Sequence, residues 1–266
     1  DAKIEVYDFN PTFAWKLSDK FSLGAGVSYQ YVKAKLGFNK SATSGGAISN
    51  THTRLTGDAW GWNIGAMWTP VENVRIGASY RSAVGHTVNG TLTTEKSLAG
   101  LPTSMDAQVS MDAPAWAMLS AAWDVNDWLS LYGTMRWADW SSFKALTIET
   151  EHKDFSSPKN WKDTYLYSVG YDARINSFWT LRGGIAYETS TIDDKYTRTG
   201  TIPDADRWWF AIGSSFHWTK DFQTDVGFAH LHGVHERSLY NSKHEEIGKF
   251  RKLDAYIIGI QGQYRF

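Results

Sequence analysis

Short stretches in which apolar and polar residues strictly alternate constrain this chain more than any other feature. Alternation with a period of two is typical of a β-strand that has one apolar face. Comparable stretches cover residues 60–68, 179–187 and 208–218. In the clearest case the apolar face is Phe21, Leu23, Ala25, Val27, Tyr29 and Tyr31, and the intervening residues are Ser22, Gly24, Gly26, Ser28 and Gln30.

Two all-β folds use this pattern. A soluble sandwich or barrel turns the apolar face toward its core, whereas an outer-membrane barrel turns it toward lipid and lines its lumen with the polar face. Aromatic residues stand near both ends of many strands, as the interfacial girdles of a membrane barrel require. The polar faces also carry charges that suit a lumen: Arg75, Arg81, Arg136, Arg182, Asp172, Glu188 and Asp225.

The lengths of the connections favour the membrane barrel. Short connections at residues 18–20, 70–72, 124–127, 175–177 and 219–220 alternate with long polar ones at 37–57, 90–106, 148–162, 190–205 and 236–249. Bacterial barrels alternate tight periplasmic turns with long extracellular loops in the same way. The eleven predicted strands are 9–18, 21–36, 58–69, 73–89, 107–123, 128–147, 163–174, 178–189, 206–218, 221–235 and 250–266.

Composition excludes several other classes of protein. No run of about 18 apolar residues is present, so a transmembrane helix is not predicted, and 15% aromatic residues argue against disorder. A net charge of −1 indicates no nucleic-acid surface. The chain has no cysteine and shows no nucleotide-binding loop or metalloprotease motif, so we expect no cofactor.

The last predicted strand ends on an aromatic residue, Phe266. This ending resembles the signal by which the barrel-insertion machinery recognises outer-membrane proteins. We therefore expect residues 1–266 to form a single transmembrane antiparallel β-barrel domain in the bacterial outer membrane, as a monomer in contact with lipid and lipopolysaccharide. Single-chain bacterial barrels have even strand numbers, so eleven strands predict that an odd number of N-terminal strands precedes this chain.

Several strings resemble those of the FadL-type outer-membrane transporters of long-chain fatty acids and aromatic hydrocarbons. They are residues 10–15 followed by 19–27, Tyr80-Arg81-Ser82 after 74–77, the strand 181–187, and Ile202-Pro203-Asp204-Ala205-Asp206-Arg207-Trp208-Trp209. The resemblance extends from about residue 9 to Phe266. It implies a 14-stranded barrel plugged by an N-terminal hatch, of which this chain would hold the last eleven strands.

The resemblance also implies passive uptake of a hydrophobic ligand through an internal site, without catalysis. A hydrophobic solute needs apolar patches on the wall of the lumen. The inward-facing candidates for these patches are Met67, Trp116, Met118, Tyr132, Trp140, Leu166 and Trp209. Asp206 and Arg207 are predicted to form a structural ion pair where a strand begins.

A ligand with a carboxylate would need a basic partner. The fatty-acid branch has a lysine-alanine-lysine-aliphatic stretch followed by an arginine, and Lys33-Ala34-Lys35-Leu36 is similar to it. Phe38 stands near the place of that arginine, which favours uncharged hydrocarbons. Lys40 and Lys159 are candidate substitutes for the missing cation, so both substrate classes stay open.

Three alternative functions follow from other features of the sequence. His230 and His232 share a strand face, with His235 beyond, and histidines at such spacing can bind a metal. The sequence shows no carboxylate at a fixed spacing from them, however. The three histidines are therefore better interpreted as polar residues at the membrane interface. A barrel enzyme would need a Ser–His or Asp–His constellation, which composition does not support. A general porin for small hydrophilic solutes remains the main alternative to a hydrophobic channel.

Overall fold

The structure is a computed structural model that describes residues 2–41, 48–95, 102–152, 154–198, 200, 203–234, 237–241 and 243–265. Almost all of its regular structure is antiparallel β-sheet. The strands are β1 (Ala2–Phe9), β2 (Thr12–Lys16), β3 (Phe21–Ser41), β4 (Ile48–Val71), β5 (Val74–Arg81), β6 (Val84–Thr94), β7 (Ser104–Ala113), β8 (Trp116–Asp124), β9 (Leu129–Ala138), β10 (Ala145–Thr150), β11 (Phe155–Pro158), β12 (Thr164–Arg174), β13 (Trp179–Glu188), β14 (Arg207–His217), β15 (Phe222–Gly233), β16 (Arg237–Tyr240), β17 (Glu246–Phe250) and β18 (Asp254–Tyr264).

Short helical turns are the only helices in the described part of the chain. They are two 3₁₀ turns, Trp140–Ser142 and Lys195–Thr197. Neither of these turns has the length or apolar content needed to cross a bilayer.

The described residues contain the eleven long strands that the sequence predicts. The pairs β1 with β2, β5 with β6, and β7 with β8 each form one interrupted strand, and β3, β4, β9, β12, β13, β14, β15 and β18 supply the other eight. Pro11 and Pro114 lie in two of the interruptions, where proline removes no ladder hydrogen bond. Each long strand pairs with the next along the chain, so the predicted all-β antiparallel fold is confirmed.

The outer face of the sheet carries an exposed apolar band. Ile212 and Ile260 lie at mid-strand on this face, and Ile260 is 78% exposed. Trp208 and Trp218 mark the two ends of the band on and just after β14. Ten residues of strand span about 33 Å, and a tilt of about 45° reduces this to about 23 Å of height, which matches the apolar band of outer-membrane barrels.

The first strands are about twice as long as the last ones. β3 has 21 residues and β4 has 24, whereas β12, β13, β14, β15 and β18 have 10 to 12. A membrane strand needs only about 9–11 residues, so β3 and β4 extend far beyond the bilayer at the end with the long connections. The predicted loop 37–57 is therefore largely strand.

This outer extension has a hydrophobic core of its own. Inward-facing residues of β3, β4, β6, β7 and β10 pack together and exclude water: Val32, Ala34, Leu55, Val88, Leu92, Met105, Ala107, Val109 and Ile148. Leu55 is only 1% exposed. Because an extension with a packed core holds its shape, the long strands form a rigid wall above the membrane.

Several other predicted boundaries differ from the structure, and the first strand begins at Ala2 rather than at residue 9. The turn Trp140–Ser142 divides the predicted strand 128–147 into β9 and β10. β9 pairs with β8 and β12, whereas β10 pairs with β7. The predicted loop 148–162 contains β11, which forms a hairpin with β10. The predicted loop 236–249 contains the hairpin of β16 and β17.

The close approach of β4 and β6 requires a glycine at position 90. A Cβ atom on Gly90 would lie 2.0 Å from the carbonyl oxygen of Arg54. We expect Gly90→Ala to lower the free energy of unfolding by about 1–3 kcal/mol, because overpacking forces the backbones apart. Thermal and denaturant unfolding of the full-length protein in detergent would measure the change.

Gly259→Ala is the matched control, because a Cβ atom there meets no atom of the described residues within 4 Å. Gly259 lies on β18, outside the extension. If both variants were equally stable, the contact between β4 and β6 would not be tight.

Candidate functional site

A cavity of about 600 Å³ opens on the inner face of the sheet, near the end with the long connections. Gln30 of β3 and Arg207 of β14 both line it, so the sheet curls until its distant strands face one another. Its apolar wall consists of Val84, Ala113, Pro114, Trp116, Ala138, Trp140 and Trp161, and its polar wall consists of Gln30, Arg81, Ser82, Arg136, Thr164, Glu188, Thr191, Asp204 and Arg207. The site is therefore amphipathic.

The aromatic wall is built from a strand and two loop segments. Trp116 begins β8, and Trp140 begins the 3₁₀ turn that follows β9. Trp161 packs edge-on against Trp140, with ring centroids 5.2 Å apart, and stacks on Phe143 at 4.8 Å. Such ring contacts stabilise the loop beyond the area they bury, and they keep Trp140 and Trp161 at the cavity.

Asp163 fixes the turn that carries Trp140. One carboxylate oxygen accepts the backbone N–H of Ser141 at 3.0 Å, and the other accepts the indole N–H of Trp137 at 2.8 Å. Burial opposes ionisation of Asp163, but these donated hydrogen bonds prevail and lower the pKa of its carboxyl group. The carboxylate is therefore ionised at neutral pH, and its contribution to stability is lost only as the pH falls through this lowered pKa.

The backbone turns tightly between Lys159 and Trp161. Lys159 and Asn160 both donate their backbone N–H to the carbonyl oxygen of Lys144, at 2.7 and 3.0 Å. Asn160 has a φ of 45°, a left-handed conformation that asparagine tolerates better than most residues. The sequence Lys-Asn-Trp thus turns sharply at its centre.

Lys159 is a buried cation. It is 6% exposed, and its Nζ donates a hydrogen bond to Oγ of Ser157 at 3.2 Å. Burial lowers the pKa of its ammonium group, and no carboxylate among the described residues offsets this effect. A bound anion would therefore be stabilised at this position.

Ion pairs line the polar side of the cavity. Arg136 donates to a carboxylate oxygen of Glu188 at 2.8 Å, and the other oxygen of Glu188 accepts the indole N–H of Trp209 at 3.2 Å. Arg207 lies 2.7 Å from Asp204 and 3.4 Å from Glu188. Glu188 therefore joins three strands of the wall, β9, β13 and β14, through one carboxylate.

A second pair closes the opposite side of the cavity. Arg81 of β5 forms an ion pair with Asp8 of β1, and Ser28 donates to Asp8 and accepts from Arg81 at 2.9 Å. Gln30 also donates to Asp8, at 3.3 Å. The network connects β1 to β5 across the inner face.

A separate set of charges lies toward the short turns. Arg182 lies 3.4 Å from both Asp172 and Asp225, and Tyr132 donates to Asp172 at 3.2 Å. Arg75 pairs with Asp124 at 3.2 Å. The charges predicted for the lumen are thus on the inner face, where each has an opposite charge close by.

The structure brings together some of the predicted ligand residues. Trp116 and Trp140 line the cavity, and Trp209 contacts its Glu188. Met67 also faces inward but lies near the short turns, beside Gly77 and away from the cavity. Lys159 lies in the loop that carries Trp161. The side chains of Leu36, Phe38 and Lys40 lie outside the described residues, and a binding role for any of these residues stays a prediction.

Other predicted inward residues also lie outside the cavity wall. Met118 and Leu166 are the strand neighbours of Arg136, and Tyr132 contacts Asp172 in the lower set of charges. The predicted ion pair between Asp206 and Arg207 is wrong. Arg207 pairs with Asp204 and Glu188 instead, because successive strand residues point to opposite faces, and Asp206 accepts from Tyr187 and Ser190.

Trp161 is a site residue that the alternating pattern does not predict. It lies in a loop, where alternation carries no information, and its packing partners are 18 and 21 positions earlier in the chain. The arginines and Glu188 were detectable as charges on the polar faces of strands, but their convergence on one cavity depends on the register of the sheet.

We expect Glu188→Gln to lower the free energy of unfolding by about 1–3 kcal/mol, because Arg136 and Arg207 lose the largely buried carboxylate that they share. Denaturant unfolding in detergent would measure this loss. Glu246→Gln is the control, since Glu246 pairs with Lys249 on an exposed hairpin, where ion pairs contribute about 0–1 kcal/mol. Equal losses in the two variants would contradict a central role for Glu188.

Known sequences resemble this chain over most of its length. The "47 kDa outer membrane protein" of Pasteurella multocida is 29% identical over 230 residues, which cover 80% of this chain and 52% of that protein. The "Long-chain fatty acid transport protein" of Escherichia coli K12 is 26% identical over 271 residues, covering 86% of this chain and 60% of that protein. The chain thus spans between half and two thirds of the length of these relatives.

Solved structures share the fold. A FadL homologue from Pseudomonas aeruginosa superposes with a TM-score of 0.86 at 22% identity, covering 99% of this chain and 68% of that chain. The toluene transporter TbuX of Ralstonia pickettii gives a TM-score of 0.72 at 18% identity, with coverage of 99% and 68%. The fold is thus that of the transmembrane β-barrels of outer-membrane transporters. The family model described as "Outer membrane protein transport protein (OMPP1/FadL/TodX)" matches residues 1–266, and the chain belongs to this family.

Proposed function

We propose that this chain forms the wall and the ligand cavity of an outer-membrane channel for passive uptake of hydrophobic compounds, long-chain fatty acids or aromatic hydrocarbons. The observation that carries the proposal is the tryptophan-walled cavity on the inner face of the sheet. A hydrophobic solute leaves water when it contacts Trp116, Trp140 and Trp161, and no bond of the solute needs to change. The relatives named for fatty-acid and toluene transport support this reading.

The remaining partners follow from the same arrangement. The exposed apolar band suits the lipid of the outer membrane, with lipopolysaccharide around its outer rim. The alternating last strand, whose final Phe266 lies outside the described residues, suits recognition by the barrel-insertion machinery. We also propose that the protein is a monomer, with residues 1–266 in one barrel domain. A hatch would lie in the part of the relatives that this chain does not match.

The tryptophans provide the first test. We expect Trp116→Ala and Trp140→Ala in the full-length protein to weaken ligand binding by roughly tenfold or more, because a buried aromatic side chain contributes about 1.5–3 kcal/mol. Uptake of labelled oleate and of labelled toluene by cells that lack other transporters would measure the effect, together with binding to the purified protein.

Trp15→Ala is the control for these variants. Trp15 lies on the lipid-facing side and is 67% exposed, so its removal should leave uptake unchanged. Unaltered uptake in the cavity variants, combined with rapid permeation of sugars into proteoliposomes, would contradict the proposal and support a general porin.

Lys159 distinguishes the two substrate classes. If the ligand is a carboxylate, Lys159→Met should abolish most oleate uptake and leave toluene uptake intact, because only the acid needs the ammonium group. The folded protein should be as stable as before or more stable, since a lowered lysine pKa means that the charged form is disfavoured by folding at neutral pH, a cost that falls as pH rises through that pKa.

Lys162→Met is the matched control, since Lys162 lies nearby in the chain but is half exposed and lies 3.5 Å from Asp193. Oleate uptake that is insensitive to Lys159→Met would exclude Lys159 as the carboxylate site. Toluene uptake without oleate uptake in the wild-type protein would assign the hydrocarbon branch.

A further inference from the structure

Two histidines and an aspartate meet on the outer face of the sheet, away from the cavity. His230 and His232 lie two positions apart on β15 and therefore share one face. Asp254 begins β18 and is the direct cross-strand partner of His232. The sequence alone could not show this carboxylate, because the segment with the hairpin of β16 and β17 separates it from the histidines.

The three side chains are close enough to share one ion. Nδ1 of His232 lies 2.8 Å from Oδ1 of Asp254, and Nε2 of His230 lies 3.7 Å from the same oxygen. One ligand atom from each residue fits within 4.8 Å of the others. In a tetrahedral zinc site with bonds of about 2.0–2.2 Å the ligand atoms are about 3.3–3.6 Å apart, so small side-chain rotations suffice to complete the geometry.

Ring contacts hold His230 in place, but one of its ring nitrogens lacks a hydrogen bond. Its ring stacks on Tyr256, with centroids 4.7 Å apart and planes at 12°, and packs beside Phe210 at 6.4 Å. Its Nε2 atom is buried and has no hydrogen-bond partner among the residues that the structure describes. A buried nitrogen without a partner costs free energy, and this atom lies on the side of Asp254.

We propose that His230, His232 and Asp254 bind a divalent transition-metal ion, with Zn²⁺ as the preferred ion. Two imidazole nitrogens and one carboxylate are a zinc-type donor set, whereas Mg²⁺ and Ca²⁺ prefer oxygen ligands. Three protein ligands leave the fourth position to water or to an external anion. The ion holds β15 and β18 together at the outer edge of the apolar band, where β15 ends and β18 begins.

The test is metal binding to the full-length protein purified in detergent. Wild-type protein should bind one Zn²⁺ and show the visible absorption of four-coordinate Co²⁺ when Co²⁺ replaces zinc. Zinc should also raise its melting temperature, because an ion that binds only the folded state stabilises it. His230→Ala and Asp254→Asn should each weaken Zn²⁺ binding by roughly tenfold or more and remove the Co²⁺ spectrum, since even outer-shell changes cost 10–100-fold.

His152→Ala is the control for nonspecific binding by histidine, because His152 is exposed in a loop far along the chain. Asp254→Asn keeps the size and hydrogen-bonding ability of the side chain, so its effect on metal binding is separable from misfolding, which the melting curve without metal reports. The proposal would be wrong if Zn²⁺ bound His230→Ala and Asp254→Asn as tightly as the wild type, or if it did not bind the wild type. The cluster would then be a hydrogen-bonded histidine–carboxylate pair.

Discussion

The need to satisfy every backbone hydrogen bond without water governs this structure. In a bilayer an unpaired N–H or C=O group costs several kcal/mol, so a chain that crosses with strands must pair them along their whole membrane segment. The register between β14 and β15 accordingly runs without a break from Arg207 opposite Gly233 to His217 opposite Gln223. Two of the interruptions within the long strands each contain a proline, Pro11 or Pro114, which has no N–H to pair.

The pairing of strands also decides where polar chemistry can occur. Because alternate side chains face lipid, each charge inside the apolar band must face the lumen, and there it must be paired or solvated. Glu188, which contacts Arg136, Arg207 and Trp209, satisfies several groups at once. The tryptophans of the cavity line it together with Arg136, Glu188 and Arg207, so an apolar surface and a charged surface meet in one cavity.

The sequence predicts the number of long strands and the direction of most of their side chains, because both depend on local alternation. It fails where the information is not local. Residues 37–57 are rich in Thr, Ser, Asn and Gly, which suggests a loop, yet β3 and β4 continue through much of this region because Leu55 packs against residues of other strands. Trp161 and Asp254 reach their sites through the fold of loops and the register of distant strands, which no single stretch of sequence encodes.

The outer extension sets how deep the sheet can sit in the bilayer. Its core joins residues of β3, β4, β6, β7 and β10, which are separated along the chain by other segments. Charged side chains such as Lys33 and Arg54 are exposed on the extension. Because a charge is costly in hydrocarbon, the extension stays outside the apolar band, and its closed core holds the outer ends of these strands together.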